Sequence, residues 1–334
     1  MAGITLAQLA QVETSSLRKG VLMNLLRDSN ILKIVPFQTV NSLKVQALRW
    51  ETLPNGGTWR RLNEGYTSDE SGNIGELWES LYAFGGDITY DRVLKKLGNV
   101  VQDPVVLQTE MKLKVMSLNY NNVFINGDHG VDPDQFEGLK KRVSAMPARQ
   151  TVYFAASTAA GLDPTASTTN ARTFLDKWDE MWYKCHGGAV DAIFCNEGVL
   201  WGVIRVLRYL QISGASMLDT TKDVFGREVQ TFKGKPFIDV GLSYDETTEI
   251  LSNTEAGGTG SANTTSVYMV NFDSSDGLVG IELEPLKAYD PLTGGEMETK
   301  PSRLLRIDWW NGLASFGSYC ITRGRNLLAP ASWT

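Results

Sequence analysis

The side chains best suited to chemistry are two histidines, His129 and His186, and three cysteines, Cys185, Cys195 and Cys320. Cys185, His186 and Cys195 are the one group that resembles a metal site, because thiolate and imidazole are zinc ligands. A structural zinc site uses four ligands, commonly as two closely spaced pairs, and here the fourth ligand is missing. Packing of small apolar side chains is therefore the favoured interpretation of these cysteines.

Nucleophilic catalysis has no better support. Cys185 and His186 are sequence neighbours, and neighbours on a helix point to different sides. The stretch 258–261 lacks the strand-to-helix context of a G-x-S-x-G nucleophile, and neither glycine-rich phosphate motif occurs. We therefore predict no catalytic residue, no cofactor-binding residue and no metal ligand, and a protein that is not an enzyme.

The acidic run from Asp128 to Glu137 raises a calcium hypothesis. A calcium-binding loop of the helix-loop-helix type needs Gly at its sixth position and Glu at its twelfth. Here Gly130 follows Asp128 after only two positions. A turn is the favoured interpretation of this run.

Composition excludes several classes of protein. The chain has 334 residues and a net charge of −6, which suits about two domains and argues against wrapping nucleic acid by bulk charge. No apolar run is long enough to span a membrane, and the stretch from Met1 to Leu9 does not resemble a signal peptide. Three cysteines are too few for a disulfide framework, which indicates a reducing compartment.

The first 50 residues form a basic segment in an acidic chain. They carry a net charge of +4, whereas residues 251–300 carry −6. Ser15 and Ser16 can cap a helix with apolar residues at helical spacing, and Pro36 ends the structure that precedes it. The basic side chains either cover a solvated helix face or contact acidic partners.

Residues 45–90 predict two paired strands with a long connection. Two alternating runs, Val45–Glu51 and Leu81–Tyr90, flank a polar stretch with turn residues. The apolar residues of that stretch are Trp59, Leu62, Tyr66, Ile74, Leu77 and Trp78. Because so thin a set cannot form its own core, we expect it to need another copy of the chain as its partner surface.

The next segment predicts a long helix. Asp103 is a suitable N-cap, Pro104 suits the first helical position, and the segment ends at Asn126-Gly127-Asp128. An apolar stripe of helical period runs through it: Leu107, Met111, Val115 and Leu118. Further helices are predicted near 171–183 and after the N-cap Asn196. Strands are predicted at 225–232, 236–241, 267–272, 278–283 and within 303–326.

The order of these parts resembles the major capsid proteins of tailed bacteriophages, which have the Hong Kong 97-type capsid fold. The resemblance depends on a long helix that runs into Asn126-Gly127-Asp128 and is followed by Gly138-Leu139. Later segments that match in order are Phe232–Phe237, Val267–Asp273, Arg306–Asp308 and Gly317–Arg323. Each motif is short, and the ordered set covers most of the chain.

The resemblance implies an α+β fold with five parts. Residues 1–48 would be an N-terminal arm and residues 49–89 an extended two-stranded loop. Residues 90–145 would be a peripheral domain with a long spine helix, and residues 146–295 an axial domain. Residues 296–334 would be strands that return to the peripheral domain.

The resemblance also implies a function. The chain would assemble with its own copies, in hexamers and pentamers, into an icosahedral shell that encloses double-stranded DNA. Trp59, Tyr66 and Trp78 would contact neighbouring subunits, and Arg18, Lys19 and Arg27 would lie on the inner face or between subunits. Other partners would be a portal, scaffolding or decoration proteins, and packaged DNA held by weak, non-specific contact, with no membrane. The protein would be located in the virion after assembly in the host cytoplasm.

Two departures from the family pattern matter. Some members cross-link subunits through a Lys in the extended loop, and no Lys occurs between Asn55 and Asp87. Other members begin with a helical scaffolding segment that a protease removes, and we expect no such segment ahead of the arm.

Two other hypotheses stay open from the sequence. One is an encapsulin-type compartment protein of the same fold, which encloses cargo enzymes rather than a genome. The other is a soluble α/β enzyme with a lid at residues 55–86.

Overall fold

A computed structural model describes residues 4–8, 16–52, 59–66, 72–91, 104–156, 161–210, 218–222, 228–256, 263–293, 295–297 and 299–333. The helices of four residues or more are α1 (Ser16–Asp28), α2 (Pro104–Asn126), α3 (Leu139–Ser144), α4 (Thr168–Lys184) and α5 (Glu197–Tyr209). The strands are β1 (Ile4–Thr5), β2 (Pro36–Thr39), β3 (Lys44–Thr52), β4 (Asn73–Ser80), β5 (Tyr82–Asp91), β6 (Thr151–Tyr153), β7 (Ala192–Cys195), β8 (Leu218–Lys222), β9 (Glu228–Phe232), β10 (Lys235–Asp239), β11 (Thr264–Val270), β12 (Leu278–Glu282), β13 (Lys287–Tyr289), β14 (Ser302–Ser315) and β15 (Ile321–Leu328). The predicted mixture of helices and sheets is confirmed.

The strands form two large sheets and one hairpin. A six-stranded sheet has the order β1-β2-β12-β14-β13, with β5 also paired to β14. A seven-stranded sheet has the order β6-β15-β11-β7-β10-β9-β8, and β3 pairs with β4 alone. Of the last two strands, β14 lies in the first sheet and β15 in the second, and the division of the chain into five parts stays a prediction. Chain order does not decide which sheet a strand joins.

The seven-stranded sheet is buried on both faces at its centre. Ile193 and Cys195 of β7 pack in a cluster with the buried faces of α4 and α5. Ala192 and Phe194 point to the other face and pack in the cluster that includes Phe124 of α2. A strand buried on both faces reads as a continuous apolar run rather than an alternation. For this reason the sequence analysis did not locate β7.

Helix α2 has the bounds that its capping residues predict, and it carries apolar residues on two faces. Its buried apolar side chains are Leu113, Met116, Tyr120, Val123, Phe124 and Ile125. Leu107, Met111 and Val115 are 45%, 61% and 46% exposed in the subunit. These three positions of the apolar stripe are therefore largely uncovered in the subunit. Apolar residues follow the helical period on two faces of α2, and periodicity alone does not say which face meets the sheets.

The pairing of the strands around residues 45–90 also differs from the prediction. β3 pairs with β4, from Lys44 opposite Ser80 to Thr52 opposite Asn73. The run 81–90 forms β5 instead, and β5 pairs with β14 from Ser302 opposite Asp91 to Asn311 opposite Tyr82. β4 is rich in Gly, Asn, Ser and Glu, which have low strand propensity, so its pattern did not predict a strand. The partner of β5 is more than 200 positions away, which no local pattern can indicate.

The turn after α2 brings two glycines into backbone contact. The N–H of Gly138 donates to the carbonyl of Gly127 at 2.9 Å. A Cβ atom on Gly138 would lie 2.6 Å from the carbonyl oxygen of Val123, too close for any larger residue without a backbone shift. The segments that carry the family resemblance therefore form one compact turn, from which α3 begins.

Candidate inter-subunit surfaces

The hairpin made by β3 and β4 carries large apolar side chains that its own chain does not cover. Trp59, Leu62 and Tyr66 are 103%, 91% and 74% exposed, and Trp78 on β4 is 56% exposed. The Arg60 guanidinium lies 4.9 Å from the centre of the Tyr66 ring. A group of this size on a polar segment marks a surface for association. Contact of Trp59, Tyr66 and Trp78 with neighbouring subunits stays a prediction.

A second apolar surface lies on α2. Leu107, Met111 and Val115 occupy successive turns, and Met23 of α1, which packs against α2, is also exposed. We call Leu107, Met111 and Val115 the α2 stripe. In the sequence these residues show only as a stripe of helical period, and their exposure in the folded subunit makes them an interface candidate.

Of the three basic residues predicted for the arm, two have described side chains. Lys19 and Arg27 are exposed on α1. Arg27 Nε lies 3.5 Å from an Asp28 carboxylate oxygen, an exposed pair that stabilises little. The side chain of Arg18 lies outside the described residues. Inner-face or inter-subunit contact by these residues stays a prediction.

The three cysteines lie in the interior, and both histidines lie beside polar groups of their own chain. All three cysteines are buried as free thiols. Burial raises the pKa of Cys185 and Cys195, and it raises the pKa of Cys320 to about 12, so these thiols stay protonated. His186 Nε2 lies 2.8 Å from an Asp276 carboxylate oxygen. Among the described residues, no group of three or more His, Cys, Asp or Glu side chains could hold a metal ion.

The acidic run after α2 forms the turn that the sequence favours. One Asp128 carboxylate oxygen accepts the Gly130 N–H at 2.9 Å, and the other accepts a hydrogen bond from Lys141 at 3.0 Å. The hydrogen bond from Lys141 and the backbone donor both hold the pKa of Asp128 below its usual range.

Within the described ranges, no helix is long and apolar enough to cross a membrane.

One buried carboxyl group predicts a pH-dependent stability. Glu282 is 5% exposed, and its carboxylate accepts the Trp309 indole N–H at 2.9 Å. Burial raises the pKa of Glu282, and within the described part of the chain it forms no ion pair. A carboxyl group whose pKa is higher in the folded than in the unfolded state lowers the free energy of unfolding as pH rises through the folded-state pKa. At low pH the group is protonated in both states, and this effect is absent.

We expect Glu282→Gln to remove this pH dependence. Gln keeps an acceptor for Trp309 but carries no charge, so the stability of the variant relative to wild type should rise by about 1 kcal/mol from pH 4 to pH 8. Denaturant unfolding of unassembled subunits at both pH values measures the difference. Glu284→Gln, at an exposed carboxylate paired with Lys287, is the matched control and should show no such trend. The prediction is contradicted if the unfolding free energies of Glu282→Gln and wild type differ by the same amount at pH 4 and at pH 8.

Solved structures of encapsulin and capsid proteins have a fold similar to that of this chain. The SrpI encapsulin of Synechococcus elongatus PCC 7942 matches with a TM-score of 0.59 and 12% identity, over 91% of this chain and 89% of that chain. The capsid of a native GTA particle matches with a TM-score of 0.58 and 14% identity, over 91% and 90%. A structure from Mycobacterium phage Bobi matches with a TM-score of 0.54 and 11% identity, over 90% of each chain. No protein-family model matches the sequence, and no curated protein sequence matches it.

At these identities the likeness concerns the fold. It extends along nearly the whole of this chain and of each similar chain. The fold fits a Hong Kong 97-type major capsid protein, as the sequence resemblance implied.

Proposed function

We propose that this chain is the major capsid protein of a tailed bacteriophage, which self-assembles into the icosahedral head shell around double-stranded DNA. The observation that carries the proposal is the combination of this fold with a hairpin whose apolar side chains are left uncovered by the subunit. Trp59 and Leu62 are more than nine-tenths exposed, which suits burial against a second copy. Hexamers and pentamers of such subunits close a shell.

In this proposal each structural part has a role in the lattice. α1 belongs to the N-terminal arm, the β3–β4 hairpin is the extended loop, and α2 is the spine helix. The six-stranded sheet is the core of the peripheral domain, and the seven-stranded sheet is the core of the axial domain. The portal, any scaffolding or decoration protein and the host cytoplasm as the site of assembly are part of the same proposal.

A second function has a specific observation in its favour. The SrpI encapsulin matches the chain with a TM-score of 0.59, against 0.58 for the GTA capsid, so the fold does not separate a genome shell from a cargo compartment. The alternative proposal is an encapsulin-type shell that encloses cargo enzymes.

Sizing of the purified protein tests the proposal. A shell protein gives megadalton particles, and ratios of absorbance at 260 and 280 nm then separate DNA contents from protein contents. A phage shell is expected to protect double-stranded DNA from added nuclease, whereas a compartment shell is expected to protect protein from protease. A monomer or small oligomer under all conditions would overturn both and favour an enzyme with a lid at residues 55–86.

We predict that the assembled shell is held together without covalent cross-links. Between Asn55 and Asp87 there is no Lys, so an amine is missing at the place where the family's cross-link begins. Particles boiled in denaturing detergent should give one band at the subunit mass of 36.9 kDa. A ladder of covalent multimers would contradict this.

The basic arm predicts weak contact with the contents of the shell. Replacement of Arg18, Lys19 and Arg27 by Gln should leave subunit folding unchanged, because Lys19 and Arg27 are exposed. Loss of three cations should lower the amount of DNA retained or slow assembly, and the effect should weaken as salt rises. The DNA content per particle at two salt concentrations is the measurement. Unchanged assembly and DNA content would mean that these residues only solubilise α1.

A further inference from the structure

Arg142 of α3 is a buried cation that contacts three parts of the fold. Its Nη2 donates to a Glu79 carboxylate oxygen at 2.9 Å and to the Leu313 carbonyl at 2.6 Å. Its Nη1 donates to Ser315 Oγ at 3.1 Å and to the other oxygen of Glu79, and its Nε donates to the Glu137 carbonyl at 2.8 Å. The side chains of Arg142 and Glu79 are 3% and 11% exposed. Each nitrogen of the guanidinium group therefore has a partner.

These partners belong to elements that meet at the root of the hairpin. Glu79 lies at the end of β4, next to the exposed Trp78, whereas Leu313 and Ser315 lie on β14 of the six-stranded sheet. A guanidinium is planar and its donors have fixed directions, so a group bonded to both strands restricts the angle between them. A Lys ammonium group lacks this planar set of donors with fixed directions, which is called the guanidinium fork below.

The other contacts at the hairpin root are mostly apolar. Val45 and Leu81 pack with Val279, Ile281 and Ala314 of the six-stranded sheet. One backbone hydrogen bond also acts here, from the Leu81 N–H to the Leu43 carbonyl at 3.0 Å. Hydrophobic contact is non-directional, whereas the Arg142–Glu79 pair adds bonds of fixed direction beside β14.

Arg142 is itself held by the turn that follows α2. Its backbone N–H donates to the Gly138 carbonyl at 3.0 Å, and Gly138 is bonded to Gly127. The end of α2, the turn, α3 and the hairpin root are thus one connected unit. We propose that Arg142 is a positioning residue that sets the direction in which the β3–β4 hairpin leaves the subunit. A further consequence rests on the proposed function: a hairpin with one fixed direction would keep the angles between neighbouring subunits uniform.

The chain offers a matched control pair in its other sheet. Arg323 and Glu255 form a second buried ion pair, with side chains 8% and 14% exposed. Arg323 Nε also lies 3.3 Å from Ser266 Oγ, and Glu255 lies 3.4 Å from the Lys140 Nζ of α3, so this pair joins β15, β11 and α3 rather than the hairpin. Removal of either pair disturbs a buried charge, but only the first is bonded to the hairpin.

The test compares Glu79→Met/Arg142→Met with Glu255→Met/Arg323→Met. Replacing a buried ion pair by apolar side chains is often neutral for stability, so both variants can be compared as folded subunits. Spin labels attached at Glu76→Cys and Val131→Cys measure the distance between the hairpin and the turn after α2. Both sites are exposed, so both can be labelled. Glu76 is about 10 Å along the strand from Glu79. The native thiols are buried and protonated, so they escape labelling.

We expect the Glu79→Met/Arg142→Met variant to widen the distance distribution at least twofold by pulsed electron paramagnetic resonance, while the control pair leaves it unchanged. An unchanged width in a folded variant, or equal widening in the control, overturns the proposal. Arg142→Lys covers the case in which the double variant does not fold, because it keeps the charge but loses the fork and should widen the distribution partially. No widening with Arg142→Lys would then overturn the proposal.

Shell assembly is a separate readout. Where wild type forms particles of one diameter, the Glu79→Met/Arg142→Met variant should form a mixture of diameters, and one diameter as narrow as wild type would count against the role in assembly. A wild-type chain that forms no particles would defeat the proposed function, while the distance measurement would still decide the role of Arg142.

Discussion

Replacing Trp59, Leu62 and Tyr66 together by Ser should leave a folded subunit that no longer forms stable shells. These side chains are 103%, 91% and 74% exposed, so they contribute almost nothing to the core of the subunit. An aromatic ring that buries about 150–250 Å² on assembly contributes roughly 4–6 kcal/mol before ordering costs. In the proposed shell every subunit would repeat this contact, so its loss would act at all positions of the lattice.

Two measurements check this result. The thermal midpoint of the unassembled subunit should change by no more than about 2 °C, since the replaced groups lie outside the core. Light scattering should show that megadalton particles are absent. Val131→Ser is the matched control, because Val131 is 84% exposed but lies in the turn after α2. Normal particles from the triple variant would show that the hairpin is not an inter-subunit contact.

Charging the α2 stripe should also prevent assembly while sparing the fold. Leu107→Glu with Met111→Glu places two carboxylates on a face that is about half exposed in the subunit. In a lattice where that face is covered, each carboxylate costs several kcal/mol of desolvation without a cation to pair with. We therefore expect at least a tenfold rise in the subunit concentration needed for assembly.

The control for the α2 stripe lies in the same helix. Gln108→Glu introduces a carboxylate at an exposed polar position, so it changes the charge of α2 without removing an apolar contact. Light scattering at increasing subunit concentration gives the assembly threshold of wild type, of Leu107→Glu/Met111→Glu and of Gln108→Glu. An assembly threshold equal to wild type for Leu107→Glu/Met111→Glu would show that the stripe stays exposed in the particle.

Local signals account for the elements that the sequence located well. Asn196 caps α5 through a hydrogen bond from the Val199 N–H to its Oδ1 at 2.9 Å, within three residues of the cap. Pro104 starts α2 and Asn126 ends it, as the sequence predicts. Caps and turn residues act on neighbouring backbone groups, so their effect is readable without knowledge of the fold.

The candidate surfaces were only partly predictable. The hairpin aromatics were identified because a polar segment cannot bury them, a property of composition that holds whatever the segment pairs with. The sequence showed the α2 stripe but not what covers it, because helical periodicity is the same for a face that meets a sheet and a face that meets another subunit. Arg142 had no signal at all, since Glu79 and Leu313 are 63 and 171 positions away.

By itself, the sequence determined the ends of α2, the N-cap of α5, the turn at Asn126-Gly127-Asp128, the lack of a recognisable catalytic or metal motif and the order of segments that resembles a capsid protein. Only the tertiary structure decided that β4 rather than β5 pairs with β3, that β15 joins the seven-stranded sheet, and that the α2 stripe stays uncovered. The physical reason is range. Capping and turn formation are set by interactions a few residues long, whereas strand partners and the burial of a helix face depend on which distant segments compete for the same apolar surface.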